Sequence, residues 1–276
     1  MLTKQAKQLD EAISYLTDIV KDIKPKTGII LGTGLSKLAN KIEGSHIIPY
    51  DDIPYFPLST VESHSGRLIF GYLFGHPVVA MQGRFHYYEG YSLQQVTFPV
   101  RVLHALGISK LLVSNAAGAL NKHFCKGKLM LITDHINLLM DNPLIGPNND
   151  RWGPRFPDMS QPYDNNLCEQ FRKTAKTQKI ELYEGIYVAM QGPTLETRAE
   201  YRMLHHLGAD AVGMSTVPEI IVTNHMGLPA AAISVLTDEC DPDNLEPVTL
   251  EEIIEIAGVA ESDLVQLFEG VLKSSD

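Results

Sequence analysis

The stretch Gly83-Arg84-Phe85-His86-Tyr87-Tyr88-Glu89-Gly90-Tyr91 sets a guanidinium, an imidazole and three phenols directly after the apolar run Pro77 to Met81. Strand ends that feed loops are where α/β proteins build their sites. A cation beside a titratable ring can hold an anion and move a proton, and the phenols add flat, half-polar surfaces. A solvated loop seldom needs so dense a cluster.

Other segments offer compatible chemistry. Gly32-Thr33-Gly34 follows a strand-like run. It is either an anion-binding turn, whose glycines let backbone N–H groups approach a phosphate, or a plain tight turn. Neither a dinucleotide fingerprint nor a Walker motif is completed around it. His64-Ser65-Gly66-Arg67 supplies a ring, a hydroxyl and a cation, although Arg67 also reads as a surface charge. In Asn115-Ala116-Ala117-Gly118, small residues immediately after a buried strand would let a flat ligand lie against exposed peptide groups, with close helix packing the competing reading.

Gly213-Met214-Ser215-Thr216 joins a strand to a helix start, a place where Ser215 and the first helical N–H groups could take an anion. It is not a serine-hydrolase elbow, because Val217 stands where Gly-x-Ser-x-Gly needs its last glycine. Gln191-Gly192-Pro193-Thr194-Leu195-Glu196-Thr197 brings a carboxylate to the mouth of the expected cleft, and Glu196 also reads as a first-turn acid favoured by a helix dipole. In Asp238-Glu239-Cys240-Asp241-Pro242-Asp243 the later acids read as solvated surface. Asp238, next to a strand, is a site candidate.

These pieces need a sheet to position them. Short runs rich in Ile, Leu and Val at Thr27–Leu31, Leu68–Leu73, Pro77–Met81, Lys110–Ser114, Leu129–Thr133, Ile186–Met190, Ala209–Val212 and Ala230–Leu236 read as strands. An amphipathic stripe over residues 3–23 predicts a helix that ends before Pro25. Capping-box patterns at Ser92, Thr197, Thr216 and Thr249 mark further helix starts, and Gly107, Gly208 and Gly227 sit where helices would stop. Strands alternating with helices predict one α/β domain over residues 1–276. Residues 141–164, dense in Pro, Asn, Asp and Gly, are either a functional loop or part of a subunit contact.

The 23 basic and 33 acidic side chains leave a formal charge of −10, with no basic run, which argues against nucleic acid as an extended partner. No apolar stretch approaches a membrane span, and residues 1–10 do not read as a signal peptide. Cys125, Cys168 and Cys240 form no C-x-x-C arrangement, so neither a disulfide framework nor a zinc site is expected, and a reducing cytoplasm fits.

Taken together, Gly83 to Gly90, Asn115 to Gly118 and Gly213 to Glu219 resemble the trimeric purine nucleoside phosphorylase family of the inosine and guanosine type. The likeness runs from about Pro25 to the last helix. It implies a three-layer α/β/α sandwich around a mixed, partly barrel-like sheet, a homotrimer, and phosphorolysis of purine nucleosides with inorganic phosphate as co-substrate. No metal or organic cofactor is implied. It assigns Thr33, His64, Arg84, His86, Ala116 and Ser215 to phosphate, and Tyr88 and Met214 to ribose. Ala117, Gly118, Leu195, Glu196, Met214 and Asp238 would enclose the purine, and Phe156 would reach into a neighbouring subunit's site. His86, Glu196 and Asp238 are the expected catalytic residues.

Two positions depart from the family pattern. Asp238 stands where 6-oxopurine members usually carry asparagine, and an ionised carboxylate can only accept where an amide can also donate. A protonated Asp238 would again donate. Leu250 stands where a histidine for the ribose 5'-hydroxyl is expected. Both changes lean toward adenosine or 5'-methylthioadenosine as substrate, whereas the retained Glu196 leans toward inosine and guanosine. The latter pair is the expected preference.

Overall fold

The computed structural model describes residues 4–20, 22–32, 36–58 and 66–274. Along the chain lie α1 (Lys4–Ile19), β1 (Thr27–Leu31), α2 (Ser36–Ala39), β2 (Glu43–Pro49), β3 (Arg67–Leu73), β4 (His76–Gln82), α3 (Leu93–Val96), α4 (Phe98–Ala105) and β5 (Lys110–Ala119). They are followed by β6 (Leu129–Asn137), α5 (Asn165–Gln178), β7 (Leu182–Ala189), α6 (Arg198–His206), β8 (Ala211–Gly213), α7 (Val217–His225), β9 (Ala230–Glu239) and α8 (Leu250–Lys273).

The strands form one mixed sheet with two regions. Five of them, β5, β8, β7, β6 and β9, pair in a closed circuit. The other four continue from β5 as an open wing in the order β1, β4, β3, β2. Apolar runs such as β1 and the first half of β5 are buried along their whole length, as strands covered on both faces should be. One group of helices, α1, α3, α4 and α7, packs together, and another group, α2, α5 and α8, packs together. The two groups cover the sheet and complete the three layers.

Strand β5 holds the key to the architecture. Its residues Lys110–Val113 pair with β1, whereas Gly118 and Ala119 pair with β8, while β9 runs along the opposite edge throughout. On the first edge, therefore, β5 changes partner, and Ser114–Ala117 face a gap between the C-terminal ends of β1 and β8. Open α/β sheets bind ligands at such switch points.

The structure alters three sequence expectations. Asn115–Gly118 lies inside β5 and not after it, because pairing with β9 overrides the weak strand preference of Asn, Ala and Gly. The edge strand β2, exposed at nearly every residue, has no apolar run to betray it. The box expected at Thr216 does not form: Thr216 makes no side-chain cap and holds φ 68°, ψ −50°. The remaining boxes at Ser92, Thr197 and Thr249 are present.

Candidate active site

The gap in the sheet opens into a cavity of about 370 Å³. It gathers Arg84, His86, Tyr88, Ala116, Ala117, Gly118, Leu195, Glu196, Met214, Ser215 and Asp238 on one surface, although these residues come from five separate stretches of sequence. Thr33 and His64 lie outside the described residues. Phe156 is 86% exposed and touches a different surface depression, beside Arg155 and Ile145, so it is not part of its own chain's cavity.

One end of the cavity is built for an anion. Arg84, 2% exposed, leaves the C-terminal end of β4. Its Nη2 and Nε donate to Glu219 Oε1 over 2.9 and 3.3 Å, and its Nη1 donates to the Ser114 carbonyl over 2.9 Å. The guanidinium is thereby aimed from two sides: by a carboxylate of α7 and by the free edge of β5. This contact explains the lost capping box, since Glu219 serves Arg84 and not the Thr216 amide.

Thr216 instead forms the corner of a γ-turn of the rarer hand, closed by the Val217 amide donating to the Ser215 carbonyl over 2.7 Å. A buried β-branched residue at positive φ costs about 1–3 kcal/mol and persists where surrounding contacts enforce it. Here Asn115 Nδ2 donates to Thr216 Oγ1 over 2.8 Å, and the Ser215 amide donates to the Tyr187 hydroxyl over 3.3 Å. These bonds hold Ser215 at the cavity wall. Gly32, at the end of β1, must be glycine for a related reason: a Cβ there would meet Asn115 Cα at 2.8 Å.

His86 sits at the start of a 3₁₀ turn, Tyr87–Glu89. Its backbone N–H and Nδ1 both meet Glu89 Oε1, at 2.7 and 3.0 Å. With Nδ1–H donating to the carboxylate, Nε2 is the basic nitrogen. Burial lowers the ring's pKa, aided by the nearby Arg84 charge and opposed by Glu89, so the neutral ring is the resting form. Tyr88 stacks on it at 4.7 Å and 13°. Burial also pushes the Tyr88 phenol up to about 12, which keeps it a neutral donor.

The other end carries two carboxylates. Glu196 precedes the Thr197 N-cap of α6, so it is not a first-turn acid; Glu200 fills that role, and Glu196 is left to the cavity. Burial raises its pKa, and nearby Asp238 adds to the effect. Asp238 Oδ1 accepts from Thr237 Oγ1 over 2.8 Å, and Oδ2 accepts from Cys240 Sγ over 3.3 Å. Val248, Leu250 and Ile253 supply an apolar flank. By contrast Asp241 accepts from the Asp243 amide and the Asn244 side chain, and Asp243 pairs with exposed Arg202, so the later acids are surface groups as expected.

Sequence reasoning missed several contributors. Glu219 looked like a cap, and neither Tyr201 nor Thr237 stood out. A usable signal existed for Glu219, since Pro218 already secures the helix start and leaves a buried carboxylate seeking a cation.

Comparison with known proteins identifies the family of the chain. The family model described as phosphorylase superfamily matches residues 26–273. The chain is 49% identical over 265 residues to purine nucleoside phosphorylase 1 of Bacillus subtilis (strain 168), covering 96% of this chain and 97% of that one. It is 48% identical over 259 residues to purine nucleoside phosphorylase of Rattus norvegicus, covering 91% and 89%. Among solved structures, Schistosoma mansoni purine nucleoside phosphorylase in complex with adenosine superposes with a TM-score of 0.93 at 37% identity, covering 100% of this chain and 99% of that chain.

Proposed function

The chain belongs to the phosphorylase superfamily, and from that membership and its cavity we propose that it is a purine nucleoside phosphorylase. It would convert a purine nucleoside and phosphate to the free base and ribose 1-phosphate, in either direction. The observation that carries this reading is one cavity with an anion end at Arg84, His86 and Ser215 and a carboxylate end at Glu196 and Asp238, with Tyr88 and Met214 also on its wall. A nucleoside has the matching polarity: a sugar between a nitrogenous base and the point of phosphate attack.

The reaction is a displacement at the anomeric carbon. A phosphate oxygen forms the new bond to C1', the C1'–N9 bond breaks, and its electron pair departs with the purine, which then takes a proton. Positive charge develops on the sugar, as in other glycosyl transfers. Arg84 and Ser215 would hold phosphate on one face of the ring, and His86 Nε2 would accept a hydrogen bond from the phosphate's remaining proton. Fixing phosphate and sugar in one cavity removes much of the entropic barrier, on the order of 7–11 kcal/mol in favourable cases. Glu196 would orient the base by accepting from a ring N–H, and Asp238 would contact its five-membered ring. The displacement involves no net oxidation or reduction, so it needs no redox cofactor, and phosphate serves as the co-substrate.

Inosine and guanosine are the favoured substrates in this reading, because a glutamate acceptor suits the N1–H of a 6-oxopurine. The apolar exposed residues Met140, Ile145 and Phe156 support a homotrimer in which Phe156 approaches a neighbour's cavity, and a cytoplasmic enzyme fits the free thiols. Base release from inosine, guanosine and adenosine, each with and without phosphate, tests the function. Phosphate-dependent release led by inosine and guanosine is expected. Release that persists unchanged without phosphate would make the chain a hydrolase instead.

A further inference from the structure

At the carboxylate end of the cavity, Tyr201 on its wall and Cys240 behind it belong to a layer that the reaction above leaves unused. Tyr201 on α6 and Cys240 just beyond β9 are 3% and 1% exposed. The Tyr201 phenol is a close neighbour of Glu196 and of the Cys240 thiol. The Cys240 thiol donates to Asp238 Oδ2 over 3.3 Å, and Thr237 Oγ1 donates to Asp238 Oδ1 over 2.8 Å. These side chains form a polar chain beside the two carboxylates, with the phenol next to Glu196 and the sulfur bonded to Asp238.

The packing leaves this chain little freedom. A Cβ on Gly118 would lie 2.4 Å from Cys240 Sγ and 3.0 Å from Asp238 Oδ2, so the backbone of β5 presses directly on the thiol and the carboxylate. The Cys240 amide is pinned to the Ala119 carbonyl at 2.8 Å. Burial pushes the thiol's pKa up, which makes the sulfur a neutral donor and a poor nucleophile. Each hydroxyl or thiol in the chain can direct its hydrogen toward a carboxylate, and the carboxylates retain acceptor capacity for a ligand.

We propose that Tyr201 and Cys240 are positioning residues for base recognition, holding Glu196 and Asp238 as two acceptors set to take N–H donors from one heterocycle. The inference rests on the nucleoside-cleaving reading of the cavity. It assigns part of the base specificity to two residues that need not touch the reacting atoms.

The test compares Tyr201→Phe, Cys240→Ala and Cys240→Ser with the wild-type chain, using inosine, adenosine and phosphate as variable substrates. Tyr201→Phe and Cys240→Ala should raise KM for the nucleoside about tenfold, the scale of one hydrogen bond to a charged group. They should change the inosine-to-adenosine ratio of kcat/KM and leave KM for phosphate within about twofold, because the anion end is separate. Cys240→Ser, which keeps a donor, should stay near wild type. Folded variants with unchanged nucleoside KM and substrate ratio would overturn the inference, as would a serine variant no better than alanine. Tyr201→Phe removes one oxygen, so it decides the matter if Cys240→Ala does not fold. Calorimetric binding of hypoxanthine and adenine separates the two readings: a wild-type chain that binds bases but does not cleave nucleosides refutes the proposed reaction, and the variants' base affinities still judge the positioning role.

Discussion

Glu219→Ala gives the sharpest test of how the anion end is built. Arg84 and Glu219 are each 2% exposed, with Nη2 and Oε1 2.9 Å apart. Removing one partner of such a buried pair leaves an uncompensated charge and costs about 3–5 kcal/mol. At about 2–4 °C per kcal/mol for a chain approaching this size, the phosphate-free variant should melt about 6–20 °C below wild type. Phosphate can supply the missing countercharge. Its stabilisation grows as RT ln(1 + [phosphate]/Kd), reaching about 2.7 kcal/mol at one hundred times Kd, and loss of the carboxylate beside Arg84 should tighten Kd. Calorimetric melts of both proteins across a phosphate series, with sodium chloride as the ionic-strength control, measure this directly. The variant's Tm should rise more steeply with phosphate than that of wild type, while its kcat falls because the guanidinium has lost its aim. A variant whose Tm responds to phosphate no more than wild type would refute the claim that Arg84 faces the anion. Glu219→Gln, which retains an acceptor, should fall between the two.

Three further outcomes follow from the same geometry. Glu89→Gln removes the carboxylate that holds the His86 ring pKa up against burial and Arg84, so the acid limb of kcat/KM should move to lower pH; an unmoved or raised limb in a pH–rate profile would contradict the assignment of His86 as the titrating group. Because His86 has a lowered pKa when folded, the unfolded chain binds more protons below about pH 6.5. Stability should therefore fall from there through the folded pKa, and His86→Gln should flatten that part of the melting curve against pH. Asp238→Asn replaces an acceptor by a group that can also donate, and should raise the inosine-to-adenosine ratio of kcat/KM about tenfold; steady-state kinetics with both nucleosides would show an unchanged ratio if Asp238 does not face the base.

Much of this was legible before the fold, and the reasons are physical. Buried strands such as β1 and β4 announce themselves because both faces are covered, and Arg84 and His86 follow β4 directly, so their place at a sheet end could be read from the sequence. Edge strand β2 could not, since its exposed residues follow no apolar pattern. Glu196 and Asp238 were found as isolated acids next to strands, but the chain from Tyr201 to Cys240 joins residues 39 positions apart, and no spacing rule connects them. The Thr216 box failed for a comparable reason: a buried arginine contributed by β4 competes for Glu219 more strongly than a local amide does. Local grammar located the site, and long-range charge decided which residues serve it. Thr33 and His64 lie outside the described residues, so their assignment to phosphate rests on the family resemblance alone.

The change of partner along β5 carries a mechanical meaning. The open wing and the closed circuit of strands share β5 and meet at Ser114–Ala117, where, among the described residues, neither β1 nor β8 pairs with it. A molecule lodged in the gap, touching Arg84 from the wing and Ser215 from the circuit, acts as a clasp between two halves of the molecule. Substrate binding and the rigidity of the sheet then become one equilibrium, and slowed amide exchange at the ends of both β1 and β8 would record the clasp closing.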